Sequence, residues 1–318
     1  MKETKAEIIL DSIISGRRVT CMRVTYPRIV HAEFMRHRIG SYCSASSRAI
    51  PMDRIIKQYY GFIPDKFRKH QPGMQPDESY EFTQEEIDFF VELYREGLKY
   101  NEDLAIKLHK DGRGLAKEQV NRWLEPGAYI THLVQMTDIG FTSFLKLRLP
   151  TTAQYEIRQI AVEMEKEYLN SVPVVRDIHL PFFEDADISK EIMSASSARC
   201  ARTSYFNHEG KTPTLKEDLE LAGNLQRDKH WSPFEFPIMT LEFAMDFFKG
   251  RVNFMEPCEN ERYFIYEPLY LLSNKTNLND TFEFSTRIKE LHRYRDLSGN
   301  LGDWKIVQFR KIMENIKR

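Results

Sequence analysis

The helical spacing that runs unbroken from Thr83 to Lys110 constrains this chain most. In "TQEEIDFFVELYREGLKYNEDLAIKLHK", Ile87, Phe90, Tyr94, Leu98, Ala105 and Leu108 recur at mostly helical intervals. Thr83 with Glu86 has the form of a capping box, and Gly112 to Gly114 mark a stop. A second stretch, "TAQYEIRQIAVEMEKEYLN", puts Ile157, Ile160, Ala161, Met164 and Tyr168 on one side of a helix. Shorter helices are expected over "AKEQVNRWLE", "DIGFTSFLKL" and "LKEDLELAGNLQ". Strands are expected on either side of a Ser15-Gly16 turn in "AEIILDSIISGRRVTCMRVTY" and over "IMTLEF" at 238–243. The fold is therefore mixed α and β and dominated by helix, without the regular βαβ alternation of a parallel sheet.

Prolines 64, 72 and 76 with Gly73 make residues 61–82 a long loop, and Pro173 and Pro181 mark a boundary between two parts. Residues 246–297 are aromatic and charged and fit no single element, while "GNLGDWKIVQFRKIMENIKR" reads as strand or helix leading into a basic helix. A length of 318 residues allows one large domain or two medium ones. With 46 Lys+Arg against 47 Asp+Glu there is no general pull toward nucleic acid or acidic membranes, so binding must come from local patches. No stretch reaches the length of a membrane span. The four cysteines, at 21, 43, 200 and 258, are far apart and form no C-x-x-C pair. They read as reduced thiols of a soluble, cytoplasmic protein. No two histidines stand at i,i+4, so a metal site is not expected. Glycine-rich nucleotide cradles and a G-x-S-x-G elbow are also missing.

Local patches exist. "MRHRIGSYCSASSRAIP", 35–51, follows a short helix over "RIVHAEFMRHRI" that is expected to end at Gly40. Residues two apart on a helix point about 200° from each other, so Arg36 and Arg38 would address different groups. Ser41, Ser44, Ser46 and Ser47 add hydroxyls and backbone N–H groups, and Arg48 adds a guanidinium fork, a combination that suits phosphate. A solvated helix end with a polar loop is the plainer reading. Arg148 lies in the junction of two helices, just before the N-terminus of the second, where anions are attracted. A hinge arginine paired to a carboxylate such as Glu156 is the alternative. Gln154 and Arg158 lie one turn apart. In "HWSPFEF", 230–236, Ser232, Pro233 and Glu235 have the form of a capping box with proline at the first helical position. Cys43 is embedded among cations that would favour a reactive thiolate, against the plainer reading of a small buried residue.

Taken together, these segments resemble one family. "RHRIGSYCSASSR" is similar to the R-H-R-x-x-S-x-N-x-x-S-x-R signature of the flavin-dependent thymidylate synthases, the ThyX family. "LKLRLPTTAQYEIRQIA" resembles its L-x-L-R…A-Q-x-E-I-R helix. "ARCARTSYF" and "HWSPFEF" resemble its A-A-R-x-S and H-x-S-P-F-E-H segments. Cys43 stands where the signature has asparagine, Phe236 replaces the last histidine, and "TDI" at 137–139 replaces N-x-R. The H-x-S-P-F-E segment follows R-H-R here, whereas it precedes it in short family members. The resemblance therefore implies a permuted or partly duplicated chain of the long kind common in phage genomes, with the tail "GNLGDWKIVQFRK" as a faded second copy.

The resemblance implies an α+β fold with a small, mainly antiparallel sheet, in two parts, 1–180 and 181–318, packed as one unit. It implies a homotetramer with sites at subunit interfaces. The activity implied is flavin-dependent transfer of a one-carbon unit from methylenetetrahydrofolate to C5 of a pyrimidine deoxynucleotide, dUMP to dTMP, with FAD as cofactor and NADPH as co-substrate. Arg148 would be catalytic, lying against the pyrimidine. Arg36, Ser46, Ser47, Arg48 and Gln154 would bind the nucleotide, and His37, Arg38, Ser41, His230, Ser232 and Glu235 the flavin and folate. A C5 hydroxymethylase acting on dCMP or dUMP is an alternative. From another class, so is a relative that binds nucleotide or nucleic acid without catalysis, whose affinity would fall steeply with salt.

Overall fold

The computed structural model describes residues 2–73, 79–110, 114–203, 212–249 and 306–315. Its first strands are β1 (Lys5–Ile14) and β2 (Arg17–Pro27), antiparallel and joined at Ser15 and Gly16, both with positive φ, 50° and 79°. Two left-handed residues in succession give a turn whose twist matches the strands it joins. Pro27 closes β2, since it has no N–H to continue the ladder. One 3-10 turn then leads into α1, which is only His31–Phe34. The helix expected to reach Gly40 thus stops before Arg36, so residues 36–40 form a loop into β3 (Ser41–Ser44). Gly40 is not a helix-ending residue. It gives way to the Tyr42 ring, whose hydroxyl would stand 3.0 Å from a Cβ there.

After α2 (Met52–Gln58), residues 61–73 and 79–82 lack regular helix or strand. Helix α3 (Gln84–Lys110) follows, opened by the expected box, with Thr83 N–H donating to Glu86 Oε2 at 2.8 Å. The "AKEQVNRWLE" segment becomes α4 (Lys117–Val120) and a 3-10 stretch to Gly127. Strand β4 (Tyr129–Thr137) then enters the sheet between β2 and β3. Helices α5 (Asp138–Arg148) and α6 (Tyr155–Asn170) come next, and β5 (Val174–Val175) completes the five-stranded order β3-β4-β2-β1-β5, in which only the β1–β5 pair is parallel. Ile157, Ile160, Ala161 and Met164 of α6 are buried with Met22, Val24 and Val134 of the sheet. This is the stripe expected from their spacing.

The second part carries β6 (Ile178–His179), α7 (Lys190–Ala201), α8 (Leu215–Arg227), β7 (Ile238–Thr240), α9 (Leu241–Phe247), β8 (Ile306–Gln308) and α10 (Phe309–Asn315). Strands β6, β7 and β8 form a three-stranded antiparallel sheet. The strand expected to extend to Phe243 ends at Thr240, whose side chain accepts from Phe243 N–H and caps α9. Most of 246–297, the "GNLGDW" stretch and Gly112 of the expected helix stop lie outside the described residues. A buried cluster of Leu10, Cys21, Cys43 and Leu133 with Cys200 and Phe236 joins the two parts. Among the described residues no helix is long and apolar enough to cross a membrane.

Candidate functional site

Helix α5 begins where Thr137 accepts a hydrogen bond from Gly140 N–H. Gly140 is needed for a close approach: a Cβ there would lie 2.5 Å from the Ile39 carbonyl oxygen. The loop carrying Arg36, His37 and Arg38 therefore crosses directly over this helix start. At the other end of α5 stands Arg148. Its Nε donates to His37 Nε2 at 2.9 Å, and one terminal nitrogen donates to the Glu33 carbonyl at 3.3 Å. The pairing to Glu156 weighed above does not occur. Glu156 is buried and accepts from Gln154 Nε2 at 2.9 Å.

To accept from an arginine, His37 must be neutral, with its proton on Nδ1. Burial and then the Arg148 charge lower its pKa from 6.5 to about 4. The His37 ring packs edge-on to Phe144, 4.8 Å between centroids. Behind it, fully buried His132 shares a 2.6 Å hydrogen bond with Ser44 and is surrounded by Tyr26, His31, Phe34 and Tyr42. Burial first, then Arg28, lowers His31 likewise, to about 4. In the unfolded chain both residues would take up a proton near 6.5, but in the folded protein only near 4. Their stability contribution is thus whole above pH 6.5 and lost as pH falls toward 4. We expect the His37 ring proton resonances to stay constant from about pH 8 to 5, with the urea midpoint falling over the acid part of the window. A His37 titration centred near its ordinary value would contradict the Arg148 contact.

Arg36 and Arg38 are exposed on either side of His37 and make no ion pair among the described residues. The serine loop beyond them is held from below. Asn121 Nδ2 donates to the carbonyls of Ser47 at 2.6 Å and Ile50 at 3.0 Å. Ser47 Oγ donates to Glu125 at 3.0 Å, and Glu125 also meets Arg28 at 3.0 Å. Exposed Ser46 accepts from Arg48 N–H at 3.2 Å, while the exposed Arg48 side chain meets Glu118 at 2.9 Å. Gln154 is the residue preceding α6, its side chain making no cap.

A third group forms where the two parts meet. Ser41 is fully buried and accepts from Gln308 Nε2 at 3.2 Å. Ser232–Glu235 is a 3-10 turn after Trp231 in which no side chain makes a capping hydrogen bond, so the capping-box form does not describe it. Glu235 is buried and accepts from Arg310 at 2.5 Å, while its carbonyl accepts from Gln135 Nε2 at 3.4 Å. Ser232, on that turn, and His230, two residues before it, are exposed. Gln308 and Arg310 went unnoticed in the sequence because no motif marks them. Their only signal was the strand-then-basic-helix form of the tail.

Cys43 lies in the apolar cluster with Phe236, so two residues that depart from the family signature pack together. Burial, then Glu235 and Cys21, push the Cys43 thiol well above its ordinary pKa. No cation is among these causes, and the reactive-thiolate reading fails. Cys21, Cys43 and Cys200 are free and buried. Alkylation of the native protein is expected to leave all three unmodified in a peptide mass map. Labelling of Cys43 before unfolding would overturn this placement.

Residues 18–174, the span from β2 through β5, match the family described as thymidylate synthase complementing protein. Through this segment the chain belongs to that family, the ThyX family. A flavin-dependent thymidylate synthase of Thermosipho melanesiensis is 25% identical over 185 residues, 55% of this chain and 73% of the relative. One from Pyrococcus abyssi is 28% identical over 141 residues, 44% of this chain and 50% of its own length. A solved UMP/dUMP methylase, PolB from Streptomyces cacaoi bound with 5-Br UMP, overlaps 53% of this chain and 89% of its own at 15% identity. The TM-score of that superposition is 0.43. The family match ends at residue 174, before the "ARCAR" and "HWSPFEF" segments.

Proposed function

We propose that this ThyX-family enzyme transfers a one-carbon unit from methylenetetrahydrofolate to C5 of a pyrimidine deoxynucleotide, converting dUMP to dTMP with FAD as cofactor and NADPH as reductant. The observation that carries the reading is Arg148, fixed through Nε by neutral His37. Its remaining N–H groups can meet a ring oxygen. C5 of a uracil is a poor nucleophile, and a cation at that oxygen stabilises the enolate-like charge that forms during attack. His37 holds the fork without adding a second charge. The donor set also suits a flavin dinucleotide: Arg36 and Arg38 offer two exposed guanidiniums, the chemistry a pyrophosphate needs. The chemistry expected of a bound reduced flavin is delivery of the hydride that completes the methyl group. Ser46, Ser47 and Arg48 would take the nucleotide phosphate and Gln154 the base side. Ser41, His230, Ser232 and Glu235 would line the cofactor side. The relatives of similar sequence named as flavin-dependent thymidylate synthases support the activity.

The same reading makes the chain a cytoplasmic homotetramer of the long, permuted phage type, with 1–180 and 181–318 as two parts of one unit. The cluster shared by Cys43, Cys200 and Phe236 supports the last point. The test is the visible spectrum of the purified protein after addition of FAD and then dUMP. A bound-flavin spectrum perturbed by dUMP is expected. A protein that stays colourless would make it a binder without redox chemistry.

A further inference from the structure

The loop assigned above to the nucleotide phosphate is shaped by one short segment of the chain. Residues 117–125, from α4 into the 3-10 stretch after it, meet the loop with side chains at positions i, i+1, i+4 and i+8. Lys117 Nζ donates to the Ala49 carbonyl at 3.2 Å, and Glu118 accepts from Arg48 Nε at 2.9 Å. One turn on, Asn121 Nδ2 donates to the carbonyls of Ser47 and Ile50. One turn further, Glu125 accepts from Ser47 Oγ. The segment is itself fixed, because Val120 and Leu124 are fully buried in the core.

Asn121 is fully buried, and its Oδ1 accepts nothing among the described residues, so the side chain serves as a donor only. Being neutral, it satisfies two carbonyls without burying a charge. The Ser46 carbonyl accepts from the N–H groups of Ala49 at 3.0 Å and Ile50 at 3.3 Å. The carbonyls of Ser46, Ser47, Ala49 and Ile50 are thus all committed to protein donors. Among the described residues the N–H groups of Ser46 and Ser47 meet no acceptor. Successive N–H groups in a turn whose carbonyls are taken up elsewhere suit a phosphate oxygen. Glu125 Oε1 gathers Ser47 Oγ and Arg28, each at 3.0 Å, and Arg122 at 2.8 Å. The Ser47 hydroxyl is therefore engaged by Glu125, and what this residue offers a ligand is its N–H.

Resting on the reading above, we propose that Asn121 and Glu125 are positioning residues for the nucleotide phosphate. They touch no ligand. They hold the Ser46–Arg48 turn in the shape that receives one, Asn121 through the carbonyls and Glu125 through the Ser47 hydroxyl.

The experiment titrates full-length, FAD-supplemented protein with dUMP and with deoxyuridine, which lacks the phosphate. Wild type is expected to prefer dUMP, and the ratio of the two dissociation constants reads the phosphate site alone. Asn121→Ala should cut that ratio roughly tenfold, the effect of losing the two hydrogen bonds that shape the turn. In turnover the KM for dUMP should rise to match, while kcat and the KM for methylenetetrahydrofolate should not move. A residue that only supports the fold would weaken both ligands alike. That result, or an unchanged ratio, would overturn the proposal. If wild type shows no turnover but Asn121→Ala removes the preference for dUMP, the positioning role stands and the reaction falls. If dTMP forms and the ratio is the same in both proteins, the reaction stands and the positioning role falls. Equal binding of dUMP and deoxyuridine by wild type would remove the phosphate site and the proposal with it. Ser47→Ala, made in wild type and again in Glu125→Ala, covers the case in which Asn121→Ala does not fold. The ratio should drop about fivefold in the first background and no further in the second, since the hydroxyl acts through Glu125. An equal drop in both, or none in either, would overturn the proposal.

Discussion

Replacing Arg148 with alanine is expected to lower dTMP formation by about 10²- to 10³-fold, the usual cost of removing one donor that faces developing charge. Arg148 closes α5, and its Nε is occupied by His37, so the guanidinium is held in one orientation before any ligand arrives. Loss of the side chain removes one bond to a neutral imidazole and one to a carbonyl, each worth about 1 kcal/mol. The fold should therefore persist, as thermal melting would show. Arg148→Lys keeps a charge but not the planar fork, and should recover only part of the activity. Turnover within a few-fold of wild type in Arg148→Ala would remove this residue from the chemistry.

The largest stability effect is expected at Asp218, far from that arginine in the chain. Asp218 is fully buried on α8, with Arg199 Nε at 2.5 Å and Arg202 Nε at 3.1 Å. Arg199 also donates to the Pro213 carbonyl at 2.6 Å, so the two helices are locked around one carboxylate. Asp218→Ala would remove the buried carboxylate that the two largely buried guanidiniums share, a change that costs about 3–5 kcal/mol. Urea unfolding measures it as a lower midpoint. A loss below about 1 kcal/mol would mean that the pair is no stronger than a surface bridge. Arg199 and Arg202 belong to the "ARCAR" segment that resembles the family's A-A-R-x-S. Both meet Asp218 and donate to backbone carbonyls, a helix-joining arrangement.

What the sequence revealed, and what it did not, follows from how local each interaction is. The Thr83 box, the buried stripe of α6 and the left-handed Ser15-Gly16 turn depend on neighbours within a few residues, and all three were legible. The helix end before Arg36 was not. Gly40 has the look of a helix-ending residue, but its small size serves Tyr42, which is on the next strand. The Ser232-x-x-Glu235 pattern misled for a related reason: the glutamate has a stronger partner in Arg310, 75 residues away. Gln308 reaches Ser41 across 267 residues, a distance at which spacing carries no information. Cys43 shows the same limit from the other side. Flanking charges suggested a reactive thiol, yet strand alternation turns the residue into an apolar cluster.

If the R-H-R loop and Arg148 support one-carbon transfer to a pyrimidine, the nucleotide itself must change. The most direct measurement is the mass of the nucleotide product after incubating the protein with dUMP, methylenetetrahydrofolate, NADPH and FAD. The expected product is dTMP, heavier than dUMP by one methylene group, formed only when FAD is present and lost in Arg148→Ala. Unchanged dUMP from a protein that demonstrably binds FAD, or product formed equally well without flavin, would contradict it.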